Sequence, residues 1–130
     1  MICFVVSLDK LGEELGFGSL ESGSFQYCGK RIEQGSDGTT TVSMKEYHSN
    51  MKTVTIPVDR RRQPDSELSP SELKQLRGLL GSLQWLVTQV RFDQQYGLSV
   101  LQSEKPRVST LVKANALVRR FKEDSDFSLV

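Results

Sequence analysis

Cysteine is nearly absent. Two residues, Cys3 and Cys28, in a chain of 130 cannot build the disulfide framework of a small secreted domain, so a reducing, intracellular compartment is expected. They offer no paired ligand spacing for a metal either. Histidine is scarcer still. His48 is the single one, with no Ser, Cys or Asp pattern around it for hydrolytic catalysis, and it reads as a core or solvated residue. The glycine-rich stretch GFGSLESG lacks the closing Lys-Ser/Thr of a phosphate loop. Long apolar runs are missing too: MICFVVSL, eight residues, falls well short of the roughly 20 that a membrane span requires. It also lacks the basic flank and cleavage site of a signal peptide. It reads as a strand entering a core, with no membrane partner expected. No internal repeat is visible.

What is present fits one domain or a large piece of one. Apolar residues make up 37% and charged residues 25%, which is somewhat polar but not disordered. The net charge of +1 conceals an asymmetry. Residues 1–26 set Lys10 against Asp9, Glu13, Glu14 and Glu21, or −3; residues 70–122 set nine Lys/Arg against Glu72, Asp93 and Glu104, or +6. A basic surface can hide inside such a neutral average.

Leu8, Leu11, Leu15 and Phe17 predict a short amphipathic helix over about residues 7–15, followed by a loop punctuated by Gly16, Gly18 and Gly23. SFQYCGKRIEQ and TTTVSM, separated by QGSDG, predict two strands and a hairpin. MKEYHSNM is a short helical candidate. TVTIPVDRRRQPDSELS, residues 53–69, holds two prolines and the run Arg60-Arg61-Arg62 and reads as extended, with the linker proper over 57–69. Ser69, Pro70 and Glu72 then form a capping box. Behind it Leu73, Leu76, Leu80, Leu83, Val87 and Val90 form the apolar stripe of a helix of about twenty residues. Further helices are expected over about 93–102, with Tyr96, Leu98, Val100 and Leu101 apolar, and about 108–122, with Leu111, Ala114, Leu117, Val118 and Phe121 inward. Strands segregated from a helical end predict an α+β fold.

Two glycines in the middle of the twenty-residue helix need a reason, since each costs about 1 kcal/mol relative to alanine. Gly78, Gly81 and Ser82 predict a small-residue seam where another backbone approaches and helices pack closely. Basic residues Lys105, Arg107, Lys113, Arg119, Arg120 and Lys122 line the last helix and its approach, a set suited to phosphates. Tyr27 beside Lys30 and Arg31 could grip a sugar-phosphate chain. Glu123, Asp124 and Asp126 could hold Mg²⁺, but so close to the end they read as a solvated tail over 123–130 or the start of a next segment.

Three stretches together resemble the reverse transcriptase of copia-type long-terminal-repeat retrotransposons. LRGLLGSLQWLVTQVRFD is similar to the family's Y-R-S-x-x-G-S-L-x-Y-L-x-x-x-T-R-P-D-I block through Arg77, Gly81, Ser82, Leu83, Leu86, Arg91 and Asp93. Phe92 stands where the family has proline, and Trp85 where it usually has tyrosine. FQYCGKRI and VSMKEYHSNM resemble its L-x-Y-F-L-G-I-x-I hairpin and the helix behind it, through Gly29, Ile32, Ser43 and Tyr47. LVKANALVRRFKED is similar, more loosely, to A-x-K-R-I-L-R-Y-L-K-G-T.

The resemblance implies an RNA-directed DNA polymerase segment: the end of a truncated palm over 1–56, with its strand, helix and β-hairpin, then a three-helix thumb-like bundle over 70–122. The family's aromatic-x-Asp-Asp hairpin has no counterpart and is expected upstream of Leu8, so no catalytic residue carries over. Mg²⁺ is expected for the whole enzyme and no cofactor for this chain. The expected partner is primer–template nucleic acid, met by Tyr27, Gly29, Lys30 and Arg31 on the hairpin and by Arg107, Lys113, Arg119 and Arg120 around the last helix. Upstream palm and fingers and a downstream ribonuclease-H-like segment are the other implied partners. Arg91 and Asp93 are expected to be structural. The competing reading is a non-catalytic α+β module that presents the 70–90 helix to a protein.

Overall fold

The computed structural model describes residues 2–16, 18 and 21–130, and for residues 2–8 the backbone alone. Phe17, expected on the first helix, lies outside the described residues. The order is helix α1 (Ile2–Leu15), strands β1 (Ser24–Tyr27), β2 (Lys30–Gln34) and β3 (Thr40–Ser43), helices α2 (Lys45–Asn50), α3 (Val58–Arg61), α4 (Pro70–Gln89), α5 (Gln95–Ser103) and α6 (Val108–Glu123), and strand β4 (Ser128–Leu129). This is an α+β fold. One antiparallel sheet runs in the order β1-β2-β3-β4.

The N-terminal run is not a strand. Residues 2–15 form one helix, because no glycine or proline stands between ICFVVS and LDKLGEEL, Gly12 is carried within the helix, and the first left-handed residue is Gly16, whose φ is +66°. Once a helix is nucleated, each further residue adds a hydrogen bond, and valine opposes it by only a few tenths of a kcal/mol.

SFQYCGKRIEQ is likewise two strands rather than one. Cys28 and Gly29 both have positive φ, 51° and 77°, the arrangement of a two-residue hairpin turn of type I′. Tyr27 therefore faces Lys30, and Phe25 faces Ile32. Cys-Gly is not the usual Asn-Gly or Asp-Gly signal, and a cysteine in this left-handed region is uncommon. The second turn, over 35–39, is tightened by the Asp37 carboxylate, which accepts from the Thr39 backbone at 3.1 Å and its hydroxyl at 2.7 Å.

The capping box of α4 forms as expected: the Ser69 hydroxyl accepts from the Glu72 N–H, and the Glu72 carboxylate accepts from the Ser69 N–H. The buried stripe is wider than the one read from the sequence. Leu76, Leu79, Leu83, Leu86, Val87 and Val90 are buried, while Leu73 and Leu80 are half-buried. On α5 only Leu98 and Leu101 face inward; Tyr96 and Val100 are exposed. On α6 Leu111, Ala114, Val118 and Phe121 are buried as expected and Leu117 is half-buried. These side chains join Met44, Met51 and Ile56 in one core, against which Val42 and Leu129 of the sheet pack.

The linker is not extended throughout. It carries the single turn α3, and the Arg60 guanidinium donates to both oxygens of Glu72 at 2.9 and 2.8 Å and to the Glu67 carbonyl at 2.8 Å. Its far end closes on α6: the Val108 and Ser109 N–H groups donate to the Ser66 and Pro64 carbonyls. Those N–H groups would otherwise be unpaired at a helix start. The chain end is not a solvated tail either. β4 pairs with β3, Leu129 opposite Val42, and Phe127 packs against the core.

Candidate nucleic-acid interface

The eight residues expected to meet nucleic acid separate into two groups. Four have protein partners. Lys30 is half-buried and its Nζ donates to Gln89 Oε1 at 2.7 Å. Arg31 donates to Glu33 Oε1 at 2.9 Å and to the Ser24 hydroxyl at 3.0 Å. Lys113 bridges to both oxygens of Glu104 at 3.0 and 3.2 Å. Arg107 opens α6 and lies 3.7 Å from Asp65. Tyr27, Gly29, Arg119 and Arg120 are exposed, and among the described residues neither Arg119 nor Arg120 makes an ion pair. Gly29 and Arg31 border a depression of about 250 Å³ whose walls include Glu33 and Glu46. Carboxylates there oppose a phosphate at Arg31.

The acidic run is engaged elsewhere. Asp126 pairs with Lys45, which holds its carboxyl below the usual carboxylate range, and Asp124 lies 3.7 Å from Arg91. Among the described residues no group of three or more His, Cys, Asp or Glu could hold a metal ion. The Mg²⁺ of a polymerase therefore has no fitting donor set in them.

Arg91 is structural. Only 3% exposed, it donates to both oxygens of Asp93 at 3.0 Å, and its guanidinium carbon lies 5.0 Å from the centre of the Phe121 ring and 4.3 Å from that of Phe127. His48 is a core residue. It is fully buried, Nδ1 donates to the Met44 carbonyl at 2.9 Å, and its ring meets Phe121 edge-on. Burial, and then the nearby Arg91 charge, push its pKa below the ordinary value.

The close-packed seam does not exist. A β-carbon added at Gly78 or Gly81 would meet nothing within 4 Å. The leucine stripe points the glycines away from the core, because residues one position off a buried i, i+3, i+4 row turn out toward solvent. Gly81 instead stands in an outward row of α4 at four-residue steps: Arg77, Gly81 and Trp85, all exposed, then half-buried Gln89. Trp85 remains 43% exposed, a large apolar face that the fold leaves uncovered.

This row ends at the hairpin. Through the Lys30–Gln89 hydrogen bond, the turn carrying Tyr27, Cys28 and Gly29 is anchored at the C-terminal end of the row. Arg77 and Trp85 are not among the contact residues that the sequence predicts. The signal for them was their i, i+4 spacing about Gly81 on the face opposite the leucines. No helix among the described residues is long and apolar enough to cross a membrane. No family model, no curated protein and no solved structure matches the chain.

Proposed function

We propose that this chain is the primer- and template-gripping part of a copia-type reverse transcriptase, an RNA-directed DNA polymerase, and contributes contacts rather than catalytic groups. One observation carries the reading: the Arg77–Gly81–Trp85 row on α4 leads to the turn that holds Tyr27, joined to it by Lys30 and Gln89. Gly81 costs the helix about 1 kcal/mol and returns no internal packing, so its use is external. A bare helix backbone at Gly81 admits a sugar-phosphate chain at close range. Arg77 supplies a phosphate contact and Trp85 a flat apolar surface for the sugar or base. Lys30, occupied by Gln89, positions the turn instead of meeting phosphate itself.

The binding is sequence-independent and salt-sensitive. Each phosphate contact contributes a slope of about −0.9 in log affinity against log salt, so about three contacts lose roughly 40-fold over a fourfold rise in salt. The test is a titration of a labelled primer–template duplex by the whole chain across that range. Arg77→Gln is expected to weaken binding and reduce the slope by about one contact. Arg119→Gln with Arg120→Gln reports whether α6 joins the same surface. Duplex affinity that ignores Arg77→Gln and Trp85→Ala in a folded chain would refute the proposal.

A further inference from the structure

Between α2 and α4 runs a segment, residues 52–56, that belongs to no sheet. Its sequence, KTVTI, contains four successive β-branched residues, the composition of a strand. The Val54 N–H donates to Asn115 Oδ1 at 2.8 Å, and Asn115 Nδ2 donates to the Val54 carbonyl at 2.8 Å. One side-chain amide thus pairs both backbone groups of one residue, as a neighbouring strand would. Asn115 is itself buried.

A residue paired in this way has its N–H and C=O on the same side, which is extended geometry; the residues before and after then turn theirs to the other side. Burial agrees, since Val54 is half-buried and Ile56 buried, whereas Thr53 and Thr55 are exposed. Among the described residues, the backbone groups of Thr53 and Thr55 have no hydrogen-bond partner. They form an open strand edge.

That edge is one wall of a groove of about 590 Å³; Gln75, Gly78 and Ser82 of α4 are on the opposite wall. The Tyr47 hydroxyl, donating to the Ser82 carbonyl at 3.0 Å, ties α2 to α4 beside it. Gly78 widens the groove, as no neighbour fills the place of its side chain. Among the described residues Lys52 is the only charged one that lines it.

We propose that this groove binds an extended peptide segment of a partner protein, which adds a strand to the Thr53–Thr55 edge. Backbone bonds to those two threonines supply affinity, and alternate small or β-branched side chains enter the space over Gly78. The single charge, Lys52, selects a carboxylate near one end of the segment. Nucleic acid is excluded as the preferred occupant, since its phosphates have one cation to meet in a largely uncharged groove. The inference is independent of the nucleic-acid reading: it uses the 75–78–82 face of α4, adjacent to the 77–81–85 row.

The test uses the whole chain and a labelled, end-blocked peptide, Asp-Val-Ser-Val-Thr, in fluorescence polarisation. Saturable binding is expected. N-methylation of the peptide at the two residues that pair with Thr53 and Thr55 should weaken it on the order of tenfold or more. Gly78→Leu, whose β-carbon meets no neighbour within 4 Å and whose remaining side chain projects into the groove, should abolish binding while the far-ultraviolet spectrum is unchanged. Replacing the peptide's aspartate with lysine should weaken it in wild type and not in Lys52→Ala. Absence of saturable binding by wild type, equal binding of the N-methylated peptide, or indifference to Gly78→Leu would each overturn the proposal.

Discussion

The Arg91 guanidinium lies on the ring of Phe127, its central carbon 4.3 Å from the ring centre. This contact fastens the segment after α6 to the end of α4. Arg91 also reaches Phe121 on the other helix and both oxygens of Asp93, with Asp124 3.7 Å away, so the planar cation is held by two rings and two carboxylates. Desolvated cation–ring contacts of this kind are worth about 2 kcal/mol or more. Arg91→Ala is expected to lower stability by roughly 2–5 kcal/mol, the range for emptying a large buried site. Arg91→Lys should recover little of it, because an ammonium cannot lie flat between rings or fork to Asp93. Urea midpoints of the three proteins decide this; wild-type stability in Arg91→Lys would reduce the site to a point charge.

Gly81 sets stability against contact. A methyl added there meets nothing within 4 Å, so Gly81→Ala should stabilise the chain by about 1 kcal/mol through helix propensity. Gly81→Leu should not destabilise it, although a close-packed seam would have made that change cost about 1–3 kcal/mol. Thermal unfolding separates the two outcomes. Under the proposed function, both variants weaken duplex binding while raising or preserving stability, and a gain in both properties would leave the glycine unexplained.

What the sequence could reveal was what short-range chemistry decides. The start of α4 was legible because Ser69, Pro70 and Glu72 act within one turn, and its length because the apolar stripe is continuous. The outward face was not legible in the same way: small residues mark a packing seam only where they lie on the inward face, and in α4 the leucines already fill that face. Cys28-Gly29 was passed over because alternation continues across a two-residue turn, so the pattern of SFQYCGKRIEQ is the same for one strand or two. The partners of Lys30, Arg60 and Arg91 were beyond reach. Gln89 is 59 positions from Lys30, and no local pattern shows which exposed-looking cation the fold will use. Asn115 as a substitute strand for Val54, 61 positions away, is of the same kind.

His48 should make stability fall on mild acidification. Its folded pKa is depressed below 6.5, first by burial and then by the Arg91 charge, with the Met44 bond and Asp124 opposing. For a base whose folded pKa is lowered, the unfolded chain takes up the proton first. Its contribution is complete above pH 6.5 and is lost as pH falls from there toward the folded value. The slope cannot exceed about 1.4 kcal/mol per pH unit for one proton. His48→Gln should remove this slope, whatever it does to stability at neutral pH. Equal slopes between pH 7 and about 5.5 in the two proteins would place the titration elsewhere.

Glu72 should act in the same direction at lower pH. Arg60 and the Ser69 N–H lower its pKa from 4.5 to about 2, so it stays ionised in the folded chain where the unfolded chain is already protonated. Its contribution is complete above pH 4.5 and disappears as pH falls toward about 2. The pair also differs from the other surface bridges in exposure: the Arg60 and Glu72 side chains are 28% and 18% exposed, against 66% and 76% for Lys105 and Glu67. Exposed pairs contribute little, so the first is the one expected to register in stability. Glu72→Gln retains a residue able to close the capping box but removes the charge. The difference in melting temperature between wild type and Glu72→Gln should therefore be constant near neutrality and shrink between pH 4.5 and about 2. Arg60→Ala should move that window upward, toward the ordinary glutamate range, because the first cause of the depression is gone. A difference that persists unchanged to the lowest pH, or a window that ignores Arg60→Ala, would show that α3 is not clamped to α4 through this pair.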